Sequence, residues 1–294
     1  MNSKEDGIQM YKNLNPGALG FQLPFQKTIE AAKIGGFEGI DINIVEMEEL
    51  VKSKSAEEVR RRLFENDLNF GGWGLPVNFR GNDEAYRKDL ERLSEYARVS
   101  QELGCNRVFT WILPFSDELP FKENFERHVE RLRPVAEILD NYKCYLGLEF
   151  VAPKTSRINH KYEFIHMMDG ILKLCEAIGT KNLGLLLDSW HWYTSHGNLN
   201  QLRRLRDEQV IYVHINDAPA GFPIDEQIDN VRCLPGETGV IDLVGFLKAL
   251  KEIGYDGPVT PEPFSRKLKE MPALKAIQMA GESLDSVWKA AGIN

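Results

Sequence analysis

Cysteine is scarce in this chain: four in 294 residues, Cys105, Cys144, Cys175 and Cys233, with no CxxC spacing among them. That scatter speaks against a disulfide framework or a zinc knot and favours reduced thiols in a cytoplasmic protein. Long apolar runs are missing as well. No stretch approaches the roughly 18 residues of a membrane span, and the opening MNSKEDGIQMYK carries charge where a secretory signal needs an apolar core. Basic residues fall short of acidic ones, 36 against 44, giving a formal charge of −8 and a pI near 5.4. Nucleic acid is a poor partner for such a chain, because phosphate neutralisation needs clustered Lys and Arg in excess. A small polar substrate fits better. No Ser- or Pro-rich linker interrupts the sequence, and no GxGxxG follows the first strand, which weakens an open dinucleotide-binding sheet.

What is present is a repeated phrase. An amphipathic helix ends in Ile-Gly or Leu-Gly and a short apolar strand follows within a few residues, as in AKIGGFEGIDI, ELGCNRVFTWI, EAIGTKNLGLLLD and KEIGYDGPVTPE. Gly35, Gly104, Gly179 and Gly254 suit the left-handed position that closes a helix. They recur at intervals of 69, 75 and 75 residues, and half of that is about the length of one βα unit in a barrel. Eight strands are expected, near 8–14, 37–44, 68–75, 107–113, 145–150, 183–188, 210–216 and 258–262. Between them, Tyr86, Leu90, Leu93 and Ala97 form one apolar helical stripe, and Ile165, Met168, Leu172 and Cys175 another. YLGLEF and NLGLLLD are apolar on both faces, as in a parallel sheet enclosed by helices. A single (β/α)8 TIM barrel over residues 1–294, of the α/β class, is the simplest closure, although an open doubly wound sheet reads much the same.

The active site of a barrel lies at the carboxyl ends of its strands. Polar residues there are Glu149 in GLEF, Asp188 in GLLLDSWHWY, His214 in YVHIND and Glu262 in VTPEPF. Any one of them alone reads as a cap or a satisfied core histidine. Four on successive strands read as a site for one divalent metal ion: three carboxylates and an imidazole suit Mn2+, Mg2+ or Co2+, with Zn2+ less favoured. On this reading Asp188 ends an aliphatic strand because the chain aims a carboxylate into the barrel mouth.

These four residues, with the phrases DSWHWY, VHINDAP, LPGETGVIDL and VTPEPF, resemble the xylose isomerase-like TIM-barrel superfamily, in its sugar phosphate isomerase/epimerase branch. The likeness spans nearly the whole chain and is densest from 149 to 264. In the ketose 3-epimerases of that branch the corresponding residues bind one divalent metal, usually Mn2+ or Co2+. The resemblance thus implies that Glu149 and Glu262 also form the acid/base pair, that His191 touches a substrate oxygen and that Arg232 binds the reacting oxygens. His191 has a second reading, as a group that orients Asp188, which carries less weight than substrate contact. Asp217 is expected to tether a loop or orient His214, and His128, His160, His166 and His196 to have surface or helix roles.

Trp73 and Trp111, at the ends of the third and fourth strands, suit the flat face of a sugar, or the core. One departure from the epimerase pattern follows the fifth strand: EFVAPKTSR offers Lys154 and Arg157 where a polar, acid-containing loop is usual. Two cations there could clamp a phosphate or carboxylate, or simply be solvated. The expected function is metal-dependent isomerisation or epimerisation of a sugar, ketose or keto-polyol. Dehydration of a cyclic keto-polyol and non-catalytic sugar binding are the rivals; a trinuclear-zinc endonuclease would need more histidines at strand ends. The outward helix faces are compatible with a homo-oligomer.

Overall fold

The computed structural model describes residues 9–293. Eleven strands are formed: β1 (Tyr11–Leu14), β2 (Gly39–Ile40), β3 (Asn69–Phe70), β4 (Trp73–Gly74), β5 (Arg107–Ile112), β6 (Phe115–Ser116), β7 (Tyr145–Phe150), β8 (Tyr162–Glu163), β9 (Leu183–Asp188), β10 (Val210–Ile215) and β11 (Pro258–Pro261). Nine of them make one parallel sheet in the order β3-β2-β1-β11-β10-β9-β7-β5-β4; β6 and β8 pair antiparallel. The edge strands β3 and β4 are separated only by Gly71 and Gly72, so the sheet curls until both edges belong to one stretch of chain. Gly71 N–H donates to Ile40 O at 2.8 Å on one side, and Leu75 N–H to Phe109 O at 2.9 Å on the other.

The two glycines are required by crowding. A Cβ on Gly72 would lie 2.8 Å from the Arg107 carbonyl oxygen, and one on Gly71 would strike the side chains of Asn13 and Asp41. Strands β9 and β10 are buried at every position, and β7 at all but Tyr145, because one face fills the sheet's interior and the other meets helices. Each Leu or Phe so enclosed contributes roughly 1.5–3 kcal/mol.

Helices follow the strands: α1 (Phe25–Gly35), α2 (Ile44–Ser53), α3 (Ala56–Phe64), α4 (Asp83–Leu103), α5 (Phe121–Asn141), α6 (Met168–Ile178), α7 (Ser189–Thr194), α8 (Leu199–Leu202), α9 (Leu243–Glu252), α10 (Arg266–Lys269) and α11 (Ala273–Ala290). The expected stripe on α4 buries Tyr86, Leu93 and Ala97, whereas Ile165 precedes α6. Gly104, Gly179 and Gly254 take φ of 77°, 86° and 84° at their junctions; at the first junction Gly36, not Gly35, is left-handed, with φ 67°. Gly35 instead meets α11, where any Cβ on Gly281 would collide with its carbonyl.

Strands β7 and β9 have the expected bounds. The second is shorter than expected, because Asn43 accepts from Val45 and Glu46 N–H groups and starts α2 at once. The expected third strand splits into β3 and β4, and position 8 lies outside the described residues. All four cysteines are free. Among the described residues, no helix is long and apolar enough to cross a membrane.

Candidate metal centre and active site

Glu149 sits near the end of β7, Asp188 closes β9, His214 lies in β10 and Glu262 follows β11. Parallel register sets His214 beside Asp188 on one side and beside Thr260 on the other. One ligand atom from each of Glu149, Asp188, His214 and Glu262 lies within 4.8 Å of all the others. Two donors bound at about 2.0–2.2 Å to a single ion stand at most about 4.4 Å apart. A contraction of a few tenths of an ångström would therefore close this cluster on one cation. Three carboxylates and one imidazole, with no thiolate, are a donor set that a divalent ion fits.

Asp188 works on two sides. Its Oδ1 accepts from Trp190 N–H at 2.7 Å, capping α7, and from Asn216 Nδ2 at 2.9 Å. Its Oδ2 accepts from Arg232 Nη1 at 2.8 Å and faces the cluster. His214 Nδ1 stands 3.3 Å from Glu149 Oε1 and 3.4 Å from Glu262 Oε2. Its Nε2 is buried without a polar partner among the described residues, beside the rings of Phe109 and Tyr212.

Electrostatics separate the carboxylates. Burial pushes Glu149 and Glu262 upward. Burial pushes Asp188 the same way, but Arg232, His191 and His214 outweigh it and hold the group at about 2. His214 is raised: burial opposes its charge, and Glu262 and Glu149 more than compensate. His191 is driven down to about 4 by burial. Its Nδ1 lies 3.2 Å from the Ala152 N–H, and Arg232 Nη2 stands 3.2 Å from its Nε2. That nitrogen lies 3.9 Å from both Asp188 Oδ2 and Asp229 Oδ1.

Arg232 is almost wholly buried and heavily committed. Nη1 donates to Asp188 and, at 2.9 Å, to Glu262 Oε2; Nη2 donates to Asp229 Oδ1 at 2.7 Å; the guanidinium lies 4.5 Å over Phe264. Its loop is pinned by Asp217, whose carboxylate accepts from the N–H groups of Ala218, Thr238, Gly239 and Ile241. Asp217 is thus the tether of the two roles expected for it.

A cavity of about 450 Å3 opens on this cluster, with Glu149, Glu262, His191, Arg232 and Trp111 in its wall. Trp111 is 44% exposed there. Trp73 is not in that wall: it is fully buried, and its indole N–H donates to Ser100 Oγ and Cys105 O, which makes it a core residue. Lys154 and Arg157 do not converge on the cavity either. Lys154 Nζ pairs with Asp225 at 3.0 Å, and Arg157 Nη1 donates to Ala152 O at 2.5 Å, with Glu163 beside it. His160 and His196 pair with Asp117 and Asp225 at the surface, His166 contacts Phe164 O, and His128 is buried on α5. Asp229, Asn216 and Phe264 were not anticipated. Asp229 had one signal, its i, i+3 spacing to Arg232.

Comparison with known proteins follows the same lines. The chain is 25% identical over 264 residues to an inosose isomerase of Bacillus velezensis, covering 89% of this chain and 91% of that one. It is 27% identical over 265 residues to a 3-dehydroshikimate dehydratase of Pseudomonas aeruginosa, covering 90% of this chain but 39% of the relative. Among solved structures, a xylose isomerase domain protein from Alicyclobacillus acidocaldarius superposes with a TM-score of 0.83 at 28% identity, covering 96% of this chain and 99% of the other. The IOLI protein with a bound zinc atom (TM-score 0.77, 22%, 96% and 99%) and a D-psicose 3-epimerase with D-tagatose from Clostridium cellulolyticum (0.73, 16%, 96% and 99%) share the fold. Residues 29–287 match the model of the xylose isomerase-like TIM barrel, and it is to this family that the chain belongs.

Proposed function

We propose that this chain is an enzyme that moves a proton beside the carbonyl of a keto sugar or keto-polyol, as a divalent-metal-dependent isomerase or epimerase. One observation carries the reading: Glu149 Oε1 and Glu262 Oε2 flank His214 Nδ1 at 3.3 and 3.4 Å, and both glutamates face the same cavity. The names of the relatives, inosose isomerase and D-psicose 3-epimerase, support the substrate class. We read β3 and β4 as halves of one strand, which makes the sheet a (β/α)8 barrel in one domain.

Glu149, Asp188, His214 and Glu262 would hold the ion, Mn2+ in our reading, with Co2+, Mg2+ or Zn2+ as substitutes. When bound, it supplies Lewis-acid stabilisation of the charge that develops when a carbon beside a carbonyl loses its proton. A carboxylate of ordinary pKa is a poor base for such a carbon, so the acidity of the substrate has to rise. One glutamate then takes the proton and the other returns it. Return to the opposite face inverts the carbon; return to the next carbon exchanges ketose for aldose. Arg232 and His191 orient substrate oxygens from the cavity wall, and Trp111 offers a flat face to the carbon skeleton. Phe115 and Phe264 keep bulk water from the reacting carbon.

The test is incubation of metal-loaded protein with ketoses and inososes in deuterated water. Label at carbon without loss of water is expected, and Glu149→Gln or Glu262→Gln should lower the exchange rate by about 10²–10⁴. Undiminished exchange in both variants would refute the acid/base roles. The 27% identity to a 3-dehydroshikimate dehydratase favours one second reading, expulsion of a hydroxyl after the same proton abstraction, which product analysis would reveal as lost water.

A further inference from the structure

Beside the catalytic cavity lies a second chamber of about 300 Å3, and Leu113 and Phe115 wall both. Its polar lining comes from Arg80, on the segment between β4 and α4, from Ser116, Asp117 and Glu118, and from Asn124, Arg127 and His128 on α5. Eight arginines among the described residues are buried or half-buried, and six of them, Arg62, Arg98, Arg107, Arg131, Arg157 and Arg232, pair with a carboxylate within 4.0 Å. The two that do not are Arg80 and Arg127, and both face this chamber. Each gives one N–H to a protein carbonyl, Arg80 to Trp111 O at 2.5 Å and Arg127 to Gly81 O at 3.2 Å. A guanidinium carries five donors, so most of theirs remain for a ligand.

His128 adds the complementary function. It is 7% exposed. Its Nδ1 donates to Asn124 O at 2.7 Å, which leaves Nε2 as a lone pair, buried without a partner among the described residues and set in the chamber wall. Burial keeps that ring neutral near neutral pH, with its pKa lowered to about 4. The carboxylates of the chamber, Asp117 and Glu118, belong to exposed residues, and Asp117 is taken by His160 and the Lys161 N–H. Two guanidinium groups with no carboxylate within 4.0 Å among the described residues, beside an acceptor for a hydroxyl hydrogen, describe the recognition of a hydroxylated anion. Arg80 also stacks 4.0 Å over the ring of Trp111, and so stands at the junction of the two cavities.

We propose that this chamber seats the anionic end, carboxylate or phosphate, of a hydroxylated substrate whose reacting carbons lie at the four-donor cluster. The second half of that statement rests on the proton-transfer reading above; the anion site does not. Lys154 and Arg157, by contrast, are committed to Asp225 and to Ala152 O.

The metal-loaded protein is titrated calorimetrically at constant ionic strength with inorganic phosphate and with acetate, and the tighter of the two identifies the terminal group. Saturable binding is expected, weakened at least tenfold by Arg80→Gln or Arg127→Gln and untouched by Lys154→Gln. Should an arginine variant lose several degrees of melting temperature, Asn124→Asp, which sets a negative charge in the chamber, replaces it and has to give the same loss. D-fructose 6-phosphate is then expected to bind at least tenfold more tightly than D-fructose and to displace phosphate, with the preference abolished in the arginine variants. Absence of saturable anion binding, binding indifferent to both arginines, or equal affinity for the two sugars overturns the proposal. Failed isotope exchange alongside arginine-dependent anion binding would instead count against the proton-transfer reading, so the two failures are distinct.

Discussion

Asp41 and Asp188 are both nearly inaccessible, both stand at the carboxyl end of a strand of the same sheet, and they are driven in opposite directions. Burial raises Asp41 to about 6; hydrogen bonds from Tyr212, Asn13 and the Gly72 N–H pull it back only in part, and among the described residues no guanidinium or ammonium contacts it. Burial acts on Asp188 as well, yet Arg232 and two histidines reverse the outcome and keep it ionised. The strand end alone therefore does not make a ligand. Around Asp41, two-residue strands and paired glycines leave room for a polar network of Asn13, Tyr212 and Thr260. Around Asp188, the six-residue strands β7, β9 and β10 carry three of the four donors and the buried Arg232 balances their charge.

The sharpest test of this contrast is isosteric. Asp188→Asn retains an oxygen to cap α7 but removes the charge, and should lower isotope exchange at least about a thousandfold with reduced metal content by elemental analysis, a barrier increase of roughly 4 kcal/mol. Asp41→Asn should stay within about threefold of the parent rate. Equal losses in the two would break the comparison. Next comes Asp217→Ala, which strands four backbone N–H groups. A loss of about 3 kcal/mol in urea denaturation is expected, together with a raised KM, because the same loop carries Arg232. Smallest is a pH effect. Asp41 holds its proton more tightly when folded than at its ordinary value of 3.8. Its contribution to stability is therefore present below pH 3.8 and lost as pH rises through about 6, at roughly 1.4 kcal/mol per unit. The stability of Asp41→Asn relative to the parent should climb by that slope between pH 4 and 6, and a flat difference in urea midpoints would show that Asp41 ionises normally.

What could be read from the sequence tracks how local the cause is. Strands β7 and β9 are legible to the residue because both of their faces are apolar. The four donors are legible because each lies within one residue of a strand's carboxyl end. The split of β3 from β4 is not, since it depends on the Arg107 carbonyl and the Asn13 and Asp41 side chains crowding Gly71 and Gly72 from distant positions. The early end of β2 had a signal in Asn43, a cap followed three residues later by Glu46, but Glu46 accepts instead from Phe25 N–H. Trp73 misleads because a strand-end aromatic can turn to either face, and its indole finds Ser100 on the helical side. Lys154 and Arg157 look like a free pair until Asp225 and Glu163 come near in space. The unpaired state of Arg80 and Arg127 is invisible for the same reason: it is defined by which carboxylates fail to arrive.

The cap that Asp188 places on Trp190 N–H links local order to chemistry. Drawing that carboxylate toward a cation would tug on the first turn of a six-residue helix that also bears His191. The amide of Trp190 is thus a built-in gauge of occupancy: its solvent-exchange rate should slow when the centre fills and quicken on chelation, at a position no ligand touches.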